Sequence, residues 1–421
     1  MMRLIKSNII RDSMKLISAN VLAQAIGLLV YPLLTRLYSP EDFGLFNLFL
    51  SIGGVLVIIG LGDYFNAIVL PRERQTAAEV VYASVGILAV VTLISGLGCC
   101  FSARIAALFS APQLADYWWL MPLYVLFSGL WFVLNYWYIR EKRFTAISAY
   151  QVNNSLTNAG MKAGFGYGSL WGGGLIFSSI LSSLFALVTS LWLHGKSLVV
   201  ALLHIRRGQV WETMKQYRKF PLFSMPRSLL NNLSGNMPVL LLSSAFSLSE
   251  IGFFSVALSL AFRPINMISS SFYQPFYQQV AENVRQQKPV LPFLRRYWLC
   301  SVGVLVPLFG ILYIVLPWLT GWLLGADYVQ TGRIIRYLLP WLLMVMVVNT
   351  TNFLPDVFGK QRTMLVFECV YFVGRLAALL TGVFMHRFLW AVGWYSAVSV
   401  LVLLMEWGWF YRLSKHYDQS L

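Results

Sequence analysis

Four basic side chains stand inside runs that are otherwise apolar: Lys162, Arg227, Arg263 and Arg375. A cation at mid-bilayer costs about 2.5–3.5 kcal/mol on an insertion scale, so each is expected to face protein or water. Asn154, Asn158 and Lys162 are four apart, which stacks them on one helix face. Arg227, Asn231 and Ser234 form a second stripe, with Asn232 and Asn236 nearby. Glu368 and Arg375, seven apart, share a face of a third segment. Polar faces with a positive excess suit an anion, and a guanidinium fork matches phosphate oxygens better than a point charge does. Lys162, Arg227, Arg263, Arg375, Asn154 and Asn158 are therefore the candidate substrate-binding set. The acids Glu368 and Asp63 are the candidates for coupling to an ion, and Glu406 sits near the end of a run.

Plainer roles compete at each position. Arg375 could simply pair with Glu368. Arg227 and Lys162 lie close enough to run ends to snorkel, and Arg263 is followed by Pro264. Arg36 is expected to pair with Glu41 or Asp42, a structural role. No catalytic set stands out. His194, His204, His386 and His416 lie at run ends, in loops or in the tail, and there is no Gly-x-Ser-x-Gly, phosphate loop or metal-ligand spacing. No cofactor or metal is expected. Cys99, Cys100, Cys300 and Cys369 are expected to be packing residues.

The elements that must position these groups follow from composition. Of 421 residues, 58% are hydrophobic and 11% charged, and the mean hydropathy is +0.67. A soluble chain would carry about 25% charged residues, so this is an integral membrane protein. The runs are about twenty residues long and uniformly apolar, which selects helices over the shorter alternating strands of a barrel. Twelve spans are expected, over 16–35, 43–62, 80–101, 118–138, 145–167, 172–193, 222–246, 251–276, 298–324, 337–354, 364–385 and 388–411. They divide the chain into a six-helix lobe at 1–193, a cytoplasmic connection at 194–221 and a second six-helix lobe at 222–421. The stretch 198–211 of the connection is amphipathic enough to lie along the membrane surface.

The net charge of +16 reads as a topology signal rather than a nucleic-acid footprint. With the N-terminus inside, 23 of the 32 basic residues fall on the cytoplasmic side and 5 on the other, so both termini are expected in the cytoplasm. The first corner, 31–46, reads YPLLTRLYSPEDFGLF. Ser39 is a cap, Pro40 the first helical residue, and Glu41 and Asp42 sit at the positive end of the dipole. The stretch has an echo at 247–254, where Ser247, Glu250, Gly252 and Phe254 align with Ser39, Asp42, Gly44 and Phe46. Duplicated half-bundles are common in transporters.

The segment 32–52, PLLTRLYSPEDFGLFNLFLSI, resembles the opening signature of bacterial polysaccharide biosynthesis proteins, the Wzx-type O-antigen flippases. The segment 67–74, AIVLPRER, is similar to the one that follows in those proteins. So are 261–282, with Arg263 and Pro264, and 331–382, with Gly332, Pro340, Lys360, Gln361, Arg375 and Gly382. The Gly62-Asp63-Tyr64 turn departs from the family, which often has a basic residue near there. The resemblance implies the multidrug/oligosaccharidyl-lipid/polysaccharide exporter (MOP) superfamily: an all-α membrane protein with MATE-like lobes around a central cavity opening alternately to each side. It implies translocation of an undecaprenyl-pyrophosphate-linked oligosaccharide, an O-antigen or related repeat unit, from the cytoplasmic to the periplasmic leaflet of the bacterial inner membrane. A polysaccharide polymerase and a chain-length regulator are the protein partners such a flippase would have, and no nucleic acid is expected. Two rivals remain: a drug/cation antiporter of the same fold, which would want acids in its cavity, and a membrane-embedded polymerase or ligase, which would need a sizeable outer loop.

Overall fold

Apolar runs that must satisfy their own backbone become helices, and the computed structural model contains no strand among its described residues. It describes residues 2–168, 171–203, 205 and 207–421, with side chains for 18–168, 173–203, 205, 208–269, 272–273 and 275–421. His204, Arg206 and the side chains of the basic leader, of Arg207 and of Ser270 and Ser271 lie outside this set.

Twelve long helices carry the chain: α1 Met2–Leu37, α2 Pro40–Leu61, α3 Arg74–Leu97, α4 Met121–Arg140, α5 Phe144–Tyr167, α6 Trp171–His194, α7 Met225–Ser243, α8 Leu248–Arg285, α9 Leu291–Leu324, α10 Val329–Asn349, α11 Gln361–Phe384 and α12 Phe388–Gln419. Each corresponds to one expected span. Several outrun it: α1 continues back through the basic leader, and α8 and α9 extend over Arg285, Arg295 and Arg296. Hydropathy marks where lipid begins, whereas a helix continues until its backbone bonding is interrupted. The connection folds as short helices, Lys196–Leu203 and Val210–Gln216, and a widened turn at Phe220–Ser224 leads into α7.

The chain forms two compact units, Met1–Gly252 and Phe253–Leu421. In the first, α2 is the hub. It packs on α3, α4, α6 and α7, while α1 lies on α5 and α5 on α6. Phe43, Leu48, Phe49 and Leu61 of α2 are almost wholly buried. In the second unit α10 holds that place, between α9 and α12, with α11 on α12. The ring pairs Phe254–Phe388 and Phe262–Trp341 seat α8 within it. The outer face of α9 exposes Leu299, Val304, Ile311, Ile314, Trp318 and Trp322, which in a bilayer is a lipid contact. Cys99, Cys100, Cys300 and Cys369 are free and exposed, so they do not pack the core as expected. A small apolar thiol sits as well against lipid as against protein.

The start of α2 is built as its sequence suggests. Ser39 Oγ accepts from the Asp42 amide at 3.2 Å, and Asp42 Oδ2 accepts from the Ser39 amide at 2.9 Å, a reciprocal capping box. The echo repeats it: Glu250 Oε2 accepts from the Ser247 amide at 3.1 Å, and Ser247 Oγ from the Glu250 amide at 3.4 Å. The two boxes meet. A Cβ on Gly44 would lie 2.0 Å from the Leu248 carbonyl oxygen, and one on Gly252 would lie 1.7 Å from that of Pro40. Ser249 Oγ donates to the Glu41 carboxylate across the same junction. Arg36 is exposed and forms no ion pair with Glu41 or Asp42, because those carboxylates are occupied by the caps and Ser249.

Candidate functional site

Ten of the twelve helices are long and apolar enough to cross a membrane by length and composition; α5 and α7 are the two that are not. They are diluted by the amides and cations that the sequence singles out. α5 carries Asn153, Asn154, Asn158 and Lys162, and α7 carries Arg227, Asn231, Asn232 and Asn236. Polar side chains concentrated on two helices of an apolar bundle mark function rather than anchoring.

On α5 the ladder splits. Asn158 Nδ2 donates to Ser182 Oγ at 2.9 Å and Ser179 Oγ at 3.3 Å, which ties α5 to α6. Asn154 stays half-buried, and its Oδ1 has no hydrogen-bond partner within the protein. Lys162 is half-buried, with Nζ 4.4 Å from the centroid of the Phe46 ring on α2. Its main-chain carbonyl accepts from Tyr38 Oη at 2.8 Å. Burial, with the Asp42 carboxylate close by, pushes the Tyr38 phenol up to about 12, so it remains a donor at neutral pH.

On α7 Arg227 and Asn231 are exposed. Asn232 and Asn236 turn to another face, toward α2. Asn236 Nδ2 donates to Asn232 Oδ1 at 3.1 Å, while its Oδ1 accepts from Ser51 Oγ at 3.2 Å. Asp63, between α2 and α3, is buried and accepts from Ser228 Oγ of α7 at 3.2 Å.

In the second unit Arg263 is half-buried on α8. Arg375 is 7% exposed and lies among three rings. Its guanidinium carbon is 4.2 Å from the Tyr395 centroid, 4.8 Å from Tyr371 and 5.3 Å from Trp341. Trp341 Nε1 donates to Tyr371 Oη at 2.8 Å, which locks the box. Each ring contributes about 0.5–2 kcal/mol, so three of them offset most of the roughly 2.5–3.5 kcal/mol of placing the cation there. The considered pairing with Glu368 does not form. Glu368 is exposed, and seven residues of helix put it about 10.5 Å along the axis from Arg375. Glu368 instead lies within electrostatic reach of Glu406 on α12, which is 6% exposed with Oε1 unpartnered. The box was not anticipated. Tyr371, four residues before Arg375, shares its face, but Trp341 and Tyr395 come from other helices and carry no signal along the chain.

Residues 33–332 match the family of polysaccharide biosynthesis proteins. The chain is a member of that family. No curated protein matches its sequence. Among solved structures it is similar to the lipid II flippase MurJ in an inward closed conformation, with 13% identity, 97% of this chain and 90% of that one covered, and a TM-score of 0.67. The eukaryotic MATE transporter AtDTX14 gives 14%, 98%, 99% and 0.57. An outward-facing multidrug resistance MATE family transporter of the MOP superfamily gives 13%, 97%, 96% and 0.57. At such identities the likeness shows the fold, and the all-α membrane architecture expected from sequence is borne out. Within the family frame, the segments that carry the resemblance are structural joints. Residues 32–52 form the Gly44–Gly252 crossing and its caps. Residues 67–74 form a turn whose carbonyls at Ile68, Pro71, Arg72 and Glu73 are gathered by the Arg140 guanidinium.

Proposed function

We propose that this polysaccharide biosynthesis protein is a flippase for an undecaprenyl-pyrophosphate-linked oligosaccharide, an O-antigen or related repeat unit, in the bacterial inner membrane. It moves the unit from the cytoplasmic to the periplasmic leaflet, with both of its termini in the cytoplasm, and it hands it to a polymerase and a chain-length regulator. The observation that carries this reading is the basic excess held inside the bundle. Lys162 lies on a helix too polar for simple anchoring, and Arg375, which forms no ion pair among the described residues, keeps its positive charge against aromatic rings inside the bundle. A pyrophosphate is the anion that such groups suit, and Arg227 and Arg263 are further candidates for it. Asn154, with a free amide oxygen, serves the glycan hydroxyls.

A cation antiporter would require acids where the cations stand. Catalysis by a polymerase or ligase would call for a catalytic set, and no such motif stands out in the sequence. The deciding experiment is replacement of Lys162 by Gln in cells that display the glycan. Surface polysaccharide is expected to fall at least tenfold at unchanged protein level, which corresponds to about 1.4 kcal/mol or more, and Lys162→Arg is expected to retain most of it. Full surface glycan in Lys162→Gln would overturn the reading. A strain lacking the protein is expected to show no repeat unit on its surface, whereas loss of a polymerase leaves a single unit displayed.

A further inference from the structure

The apolar stretch of α8 ends at Ser269, yet the helix runs on to Arg285. This extension carries two aromatic faces. One is closed by packing: the Phe276 ring meets those of Phe293 at 5.3 Å and Tyr297 at 4.8 Å, both on α9. Tyr273 and Tyr277, four apart, form the other. Each stands perpendicular to the Phe353 ring, with centroids at 5.6 and 5.4 Å. Phe353 lies in the turn after α10 and is wholly buried, whereas Tyr273 and Tyr277 remain 37% and 42% exposed. Neither tyrosine hydroxyl has a hydrogen-bond partner among the described residues. Asp356, on the short helix Leu354–Val357 that follows Phe353, is exposed and lies within electrostatic reach of Tyr273. It forms no ion pair among the described residues.

We propose that Tyr273, Tyr277 and Asp356 form a saccharide platform, which, resting on the flippase reading, holds the neutral sugars of the lipid-linked unit. A hexose presents an apolar C–H surface and a rim of hydroxyls. An aromatic ring covers the first, the two oxygens of a carboxylate accept from neighbouring hydroxyls, and a phenol both donates and accepts. Tyrosine offers such contact area with only two torsions to fix, and the buried Phe353 ring braces both side chains. Four residues of helix set the two rings about 6 Å apart along the axis, roughly the length of one sugar unit. The platform is therefore a strip that follows successive sugars instead of a pocket that encloses one.

Two other roles fit the geometry less well. Tyrosines of an interfacial belt sit where the apolar stretch ends, whereas these come about one and two turns beyond Ser269. An organic cation is held best where rings surround one point, as they do at Arg375, and two rings in a row along one helix do not surround it. The division of work follows from the cargo. Its pyrophosphate is common to every undecaprenyl-pyrophosphate-linked unit, so discrimination between repeat units falls to side chains that touch sugar.

The test uses the purified full chain in phosphatidylcholine nanodiscs, which bring no sugar headgroup of their own. The probe is the repeat-unit oligosaccharide released from the host's surface polysaccharide by mild acid, carrying neither lipid nor pyrophosphate. Saturation-transfer NMR should show saturable contact with the sugar C–H protons. Tyr277→Leu and Asp356→Asn should each weaken binding at least tenfold at an unchanged unfolding temperature. Tyr273→Phe, which keeps the ring, should retain most of the binding, and Gly310→Ala should retain all of it. Absence of binding by the parent chain would overturn the proposal, as would an unchanged affinity in either Tyr277→Leu or Asp356→Asn. Binding of tetraethylammonium in place of the oligosaccharide, lost in Asp356→Asn, would also overturn it and assign the surface to an organic cation. No transport enters the measurement. Failed binding together with glycan lost from Lys162→Gln cells removes the platform alone, and intact binding together with full glycan on those cells removes the flippase reading alone.

Discussion

Arg375 keeps a permanent charge inside the bundle by facing ring surfaces instead of an acid. That distinction separates its two contributions. Ring faces stabilise a guanidinium without neutralising it, so the charge remains available to an anion, whereas a carboxylate partner would have cancelled it. Replacing Arg375 by Met removes the charge together with its desolvation cost. Unfolding measurements on Arg375→Met should therefore change by no more than about 1 kcal/mol, in line with swaps of buried ions for apolar isosteres. Surface glycan in the same variant should be lost. Tyr395→Leu does the reverse: it strips the nearest ring from a retained cation, and stability should fall by about 1–2 kcal/mol. A fully active Arg375→Met would reduce Arg375 to a pin between α10, α11 and α12. Lys162 differs in kind, because its ammonium, a compact point charge, meets a single ring, that of Phe46 at 4.4 Å.

At the scale of elements, the crossing of α2 with the first turn of α8 is the tightest joint described. Two capping boxes with the same spacing bring Gly44 and Gly252 back to back, and neither position has room for a methyl group. Gly44→Ala and Gly252→Ala should each lower the unfolding temperature markedly, with losses on the order of 1–3 kcal/mol from forced backbone shifts. Gly310 of α9 is the control, since a Cβ there meets nothing within 4 Å. Gly310→Ala should be neutral or stabilising by up to about 1 kcal/mol. If all three behaved alike, close packing at the crossing would not be what retains the two glycines. The amide ladder on α5 shows how an element divides its residues: Asn158 is spent on the α6 serines, and Asn154, one turn earlier, is left with an open acceptor.

At the scale of the whole molecule, the distribution of basic residues makes a prediction about topology. Fluorescent fusions that mature only in the cytoplasm should be bright at both the N- and C-termini. Periplasm-dependent phosphatase fusions should be active after Arg104 and Arg387, and silent after Lys142 and Lys360. The opposite pattern would invert the direction of transport argued above.

The order of the long helices, the cap at Ser39 and its echo at Ser247 were all legible in the sequence. Each depends on residues within a few positions of one another, or on hydropathy summed along the chain. The candidate cations were legible for the same reason, as rare charges in apolar runs. Their surroundings were not. Whether Arg375 meets Glu368 or three aromatic rings, whether Asn232 or Asn231 turns toward α2, and whether Asp63 meets Ser228 depend on how each helix is rotated against its neighbours. That rotation is set by side-chain packing between residues far apart in sequence, so only the tertiary structure decided it.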